Sequence, residues 1–201
     1  MLNYRKYVGP VLRTLLVAVV LLAVGSLSGC NRDRESSVEW LQQQVWSQPD
    51  NGALYLRLGY ALQRDGRQND AAVAFAQAVK LDPKLDEAYH ALATQAFHRK
   101  RYNDALRFFR QHLAAAPRDS SRLYNVGNAY MQLKQYDKAA AAYSEAIDNS
   151  RAFVEAHYNL AVCYSKLHRP AQAQPIYEWL LVKNNYLAHS LKKHLDSLQT
   201  R

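Results

Sequence analysis

The chain has 201 residues, 26 of them Lys or Arg against 17 Asp or Glu, a formal net charge of +9, and only two cysteines. That length suits about one ordinary domain, and two cysteines exclude both a disulfide-stapled miniprotein and a four-cysteine zinc site. Beyond the first thirty residues the glycines are Gly52, Gly59, Gly66 and Gly127, too scattered for a phosphate-cradling loop.

In chain order, Met1 to Thr14 carries Arg5, Lys6 and Arg13 and no acid, and Leu15 to Val24 is an unbroken apolar run. The run falls well short of the roughly 20 residues a membrane-spanning helix needs, so the two parts read as the basic and apolar regions of a secretory signal. The run is followed by Leu27-Ser28-Gly29-Cys30, an apolar residue, two small residues and a cysteine. This resembles the lipobox of bacterial lipoproteins. The resemblance implies a signal peptide of residues 1–29, cleavage before Cys30, a diacylglyceryl group on its thiol and an acyl chain such as palmitate on the new amino terminus. Several acyl chains anchor a protein far better than one. Asn31 stands where lipoproteins retained at the inner membrane carry Asp, so the resemblance implies an outer-membrane protein facing the periplasm. Cys163 is then left without a partner in the chain. Removing residues 1–29 leaves 172 of the 201 residues and takes three bases away, so +9 becomes +6.

Residues 30–35 read as a short charged tether. Ser36-Ser37-Val38-Glu39 has the spacing of a capping box, and Val38, Leu41 and Val45 share one helical face, which predicts a capping helix over 36–51. A period of 34 residues then takes over. Small residues recur at Gly59, Ala93, Gly127 and Ala161, alanines at Ala71, Ala105, Ala139 and Ala173, aromatics at Phe75, Phe109, Tyr143 and Tyr177, and prolines at Pro49, Pro83 and Pro117. A fixed period of this length marks a helical repeat array. The columns resemble the tetratricopeptide pattern W-x2-L-G-x2-Y…A-x3-F…P, seen as Tyr55-x2-Leu58-Gly59-x2-Leu62, Ala71-x3-Phe75 and Pro83 in the first repeat.

The resemblance implies an all-α, right-handed solenoid of four helix pairs, 52–85, 86–119, 120–153 and 154–187. The N-terminal helix reads as a half-repeat. Leu187, Leu191, Leu195 and Leu198 predict an amphipathic cap over 188–201. The small residues should let helix A and helix B approach closely, and the aromatics should fill the space between repeats. Four departures carry expectations of their own. Arg151 and Asn185 replace the proline, which predicts softer helix ends. His112 replaces an alanine, which predicts a looser contact between repeats two and three. Pro175 predicts a late start or a bend in the fourth helix B.

No motif of a protease, hydrolase or nucleotide-binding enzyme is present. His189 and His194 lie five apart and share a helical face poorly, so no metal site is expected. Asp86-Glu87 is the dipole-favoured start of a helix rather than a catalytic pair. The chain is expected to be no enzyme and to need no cofactor beyond the lipid on Cys30. Nucleic acid is disfavoured as a partner, because the signal directs the chain out of the cytoplasm.

In the tetratricopeptide family, helix A lines a concave groove that binds proteins. Carried over by position, the groove holds Arg57 and Tyr60 in the first repeat and His90, Thr94 and Phe97 in the second. Tyr124, Asn125 and Asn128 follow in the third, and Tyr158 and Asn159 in the fourth. Asn125 and Asn159 are equivalent, and a carboxamide can both donate to and accept from a peptide backbone. The basic run Arg99-Lys100-Arg101 has no evident role. The expected function is a scaffold of the cell envelope, similar to the pilotins of type IV pili, that binds another envelope protein. A peptide-binding adaptor in cytochrome maturation or cell-wall enzyme recruitment, and a homo-oligomeric structural protein, remain as alternatives.

Overall fold

The computed structural model describes residues 36–183 and 185–199. The signal, the lipobox with Cys30 and the tether lie outside these residues. The described residues form ten α-helices: α1 Val38–Ser47, α2 Gly52–Arg64, α3 Gln68–Leu81, α4 Asp86–His98, α5 Tyr102–Ala115, α6 Ser120–Gln132, α7 Tyr136–Asn149, α8 Val154–Lys166, α9 Pro170–Lys183 and α10 Asn185–Gln199. The A helices start at 52, 86, 120 and 154 and the B helices at 68, 102, 136 and 170. Every start obeys the 34-residue period, and each A helix packs on the B helix that follows it. This is the all-α solenoid of helix pairs that the columns predict.

The close approach of helix A and helix B is visible at two glycines. A Cβ on Gly59 would sit 2.4 Å from Cε1 of Phe75, and one on Gly127 would sit 2.6 Å from Cε1 of Tyr143. Both rings are fully buried. The aromatic column therefore lies against helix A of its own repeat, where the missing side chain leaves room, rather than only between repeats. The alanine column (Ala71, Ala105, Ala139 and Ala173) is likewise fully buried.

The A-to-B turns share one geometry. Gly66, Lys100, Lys134 and His168 all have positive φ, at 78°, 60°, 58° and 57°. The next N–H closes each helix by donating back to a carbonyl five residues earlier, as Arg67 does to Leu62 at 2.8 Å and Arg101 to Ala96 at 2.9 Å. This is the Schellman termination, which favours glycine because a left-handed residue clashes through its Cβ. Three of the four positions carry a side chain nonetheless.

At the N-terminus the cap is Ser37, not Ser36. Its Oγ accepts from the Trp40 N–H at 3.2 Å, while the Ser36 carbonyl accepts from Arg64 at 2.8 Å. Val38 and Leu41 are buried and Val45 packs beside them. Burial of one such leucine contributes about 1.5–3 kcal/mol, enough to dock a short helix on its neighbour. At the other end α10 begins at Asn185 and buries Ala188 and Leu191 against Leu180 and Ala173. The side chain of Leu198 lies outside the described residues.

The departures at Arg151, Pro175 and His112 leave the 34-residue register of the helices intact. α7 ends at Asn149, in register with α3 and α5, although Arg151 is no proline. Asn149 closes the end itself by donating from Nδ2 to the Glu145 carbonyl at 2.8 Å. α9 starts in register at Pro170, where a proline in the first helical position has no N–H to leave unpaired, so of the late start or bend expected of Pro175 the late start is not seen; Pro175 lies inside the helix. The His112 imidazole bonds within its own repeat. Its Nδ1 lies 3.0 Å from the Asp86 carbonyl and 3.6 Å from the Asp86 carboxylate. From the next repeat, Arg122 donates to the His112 carbonyl at 2.5 Å and pairs with Asp86 at 2.7 Å. The link to repeat three is made by Arg122, which reaches the backbone of His112 and the carboxylate of Asp86.

Candidate protein-binding groove

The A helices α2, α4, α6 and α8 carry the predicted groove residues, and between repeats two and three they form a pocket of about 130 Å³ lined by Thr94, Phe97, Phe109, Asn125 and Asn128. Phe97 and Phe109 meet edge to face at 6.4 Å and Phe97 meets Tyr102 at 5.3 Å, so the three rings form one packed cluster beside the pocket. Four of the predicted residues, Thr94, Phe97, Asn125 and Asn128, thus come together here. Phe109, read from its column as a packing aromatic, also serves as pocket wall. Its 34-residue spacing could not tell the two uses apart.

The two equivalent asparagines differ. Asn159 Nδ2 faces the hydroxyl of Tyr124 at 3.1 Å, Oδ1 of Asn128 at 3.2 Å and the hydroxyl of Tyr143 at 3.5 Å, and Tyr143 donates to Asn128 Oδ1 at 2.7 Å. This network joins repeats three and four and occupies the donor side of Asn159. Burial pushes both tyrosine hydroxyls above their ordinary pKa, so both stay protonated and Tyr143 keeps donating to Asn128. Asn125 makes no side-chain hydrogen bond among the described residues. Its amide is the one that a partner's backbone could use, beside an apolar wall.

The remaining predicted residues lie elsewhere. Arg57 sits over the Trp40 ring at 5.5 Å, and Tyr60, 44% exposed, packs edge to face on Phe75 at 5.1 Å. Burial raises the Tyr60 pKa, with help from Glu87 and Asp86. Tyr158 meets Ser190 of α10 at 3.1 Å, so the terminal cap covers the groove at the fourth repeat. His90 does not face a partner. Its ring lies 4.9 Å from that of His112 and 6.3 Å from that of Phe109, and its Nδ1 is buried without a hydrogen bond. Burial first and Arg122 second lower the pKa of both histidines. The basic run is largely engaged: Arg99 donates to Asn69 at 2.7 Å, Arg101 pairs with Asp104 at 3.8 Å, and nearby Arg110 bonds the Tyr130 hydroxyl. Cys163 is fully buried, and burial with Asp137 pushes its thiol up to about 12. Among the described residues no helix is long and apolar enough to cross a membrane, and no three His, Cys, Asp or Glu gather as metal ligands.

Comparison with known proteins agrees with this geometry. Residues 127–167 match the TPR repeat family, and residues 65–146 match the family described as anaphase-promoting complex, cyclosome, subunit 3. The type IV pilus assembly protein PilF of Pseudomonas aeruginosa is 28% identical over 166 residues, which cover 80% of this chain but only 63% of that protein. Solved structures of MamA share the fold. One superposes with a TM-score of 0.69 at 22% identity, covering 85% of this chain and 93% of its own. That from Desulfovibrio magneticus RS-1 gives 0.68 at 22% identity, covering 82% and 94%. The 34-residue period, the paired helices that obey it and the likeness to the MamA structures make the chain an α-solenoid of helix pairs, of which residues 127–167 match the TPR repeat family.

Proposed function

We propose that the chain is a non-enzymatic lipoprotein of the cell envelope that holds another envelope protein in its groove during type IV pilus assembly. The observation that carries the binding site is the pocket between repeats two and three, where the uncommitted amide of Asn125 sits beside Phe97 and Phe109. An extended segment of the partner would place an apolar side chain in the pocket and its backbone against Asn125. The pilus role is supported by the similarity to PilF, of which the chain spans 63%. The anchor is supported by Leu27-Ser28-Gly29-Cys30, and the outer-membrane address by Asn31.

Crosslinking in cells followed by mass spectrometry tests the reading. Phe97→Ala and Asn125→Ala should each weaken the recovered complex by about tenfold, as truncation of a central contact does. An unchanged complex in both would rule out this pocket. For the anchor, Cys30→Ala should leave the membrane fraction or remain unprocessed. A variant processed and fractionating like the parent chain would remove the lipid from the proposal.

A further inference from the structure

The four A-to-B turns, residues 64–70, 98–104, 132–138 and 166–172, lie along one edge of the solenoid, since every A helix ends there and every B helix starts there. Side chains link them from repeat to repeat. Arg64 donates to the Ser36 carbonyl, Arg99 to Asn69, and Arg169 pairs with Asp137 at 3.0 Å. These segments hold nine Lys or Arg against four Asp, a net +5; the opposite edge, residues 46–53, 80–87, 114–121 and 148–155, holds four Lys or Arg against seven Asp or Glu, a net −3. On the basic edge Asp70, Asp104 and Asp137 are already paired by arginines. Lys100, Lys134 and Lys166 are exposed and form no ion pair among the described residues. Lys100 and Lys134 stand at φ 60° and 58°, a conformation that Gly66 adopts without strain and a lysine does not.

We propose that this edge docks on the anionic phospholipid headgroups of a membrane surface. Clustered lysines attract such a surface, each adding about fivefold to binding. The point of chain entry favours lipid over an acidic protein. The Ser36 carbonyl is bonded to Arg64 on this edge, so residues 1–35, in which five residues separate Cys30 from the described fold, join it here. The orientation thus rests on the anchor reading, whereas the charge asymmetry does not. Docking by the edge leaves the concave groove open to a partner.

The test uses the full chain with Cys30→Ala, partitioned onto vesicles of phosphatidylcholine alone and of phosphatidylcholine mixed with phosphatidylglycerol. Added phosphatidylglycerol should raise partitioning, and salt should reduce the gain. Lys100→Gly with Lys134→Gly removes two cations while relieving the left-handed strain, so a loss cannot come from unfolding. The gain should fall by about tenfold or more. Lys80→Gln with Lys84→Gln, on the opposite edge, should match the parent. A gain that is absent, or unchanged in the glycine variant, overturns the proposal. So does a glycine variant that keeps the gain but loses a crosslink in cells to an acidic protein. If Cys30→Ala does not alter fractionation in cells while the phosphatidylglycerol gain persists, the anchor reading fails and the edge stands.

Discussion

At single residues, the same 34-residue columns set two opposite sensitivities. Gly59 and Gly127 are needed for their lack of volume, because any Cβ would enter the ring of Phe75 or Tyr143. Gly59→Ala should destabilise the chain by about 1–3 kcal/mol, the usual effect of overpacking a closed core, and Gly59→Ala combined with Phe75→Leu should recover part of it in urea unfolding. At the turn column the logic reverses. His168 stands at φ 57°, so His168→Gly should stabilise by about 0.5–1 kcal/mol, seen as a higher thermal midpoint. The glycine at position 59 is legible in the sequence as part of a motif. The left-handed column was not, because lysine and histidine carry no signal for positive φ.

Among the elements, the joint between repeats two and three is where titration meets packing. His90 and His112 face each other, with Asp86 from the same helix as His90 and Arg122 from α6 as the charged groups beside them. Burial lowers both histidine pKa values, so the folded state favours the neutral rings. The resulting stability is fully present above the ordinary histidine pKa of about 6.5 and is lost as pH falls through the lowered values. Denaturant midpoints measured from pH 7.5 down to pH 5 should therefore decline, and His90→Gln with His112→Gln should flatten that decline. A profile of the double variant that matches the parent would mean another group controls it. Phe109 touches this joint through His90 and lines the binding pocket on its other side, so acid should weaken the groove together with the fold.

For the whole molecule, stability is a sum over repeats and their shared faces, and α1 and α10 close the two ends. Cys163, buried beside Met131 at 3.9 Å, reports on the third–fourth face. In the Cys30→Ala chain it is the sole thiol. With its pKa near 12, it should resist a thiol reagent at neutral pH and react only as that face opens, so labelling should track global unfolding. Rapid labelling under native conditions would show that the last repeat opens by itself. The molecule also has sides: a groove with one uncommitted amide, a basic edge where the chain enters and an acidic edge opposite.

The period by itself determined the helix pairs, their starts and the small and aromatic columns, because these depend on residues whose neighbours recur at a fixed spacing. Only the tertiary structure decided how equivalent residues differ. Asn125 and Asn159 occupy one column, yet Asn159 is held by Tyr124, Tyr143 and Asn128, which the neighbouring repeat brings within reach, while Asn125 faces a pocket. His112 breaks the alanine column and its ring meets Asp86 of its own repeat, while Arg122 of the next repeat reaches Asp86 and the His112 carbonyl, groups that converge only in the folded stack. A hydrogen bond between repeats depends on the reach and angle of particular side chains, and periodicity is silent on both.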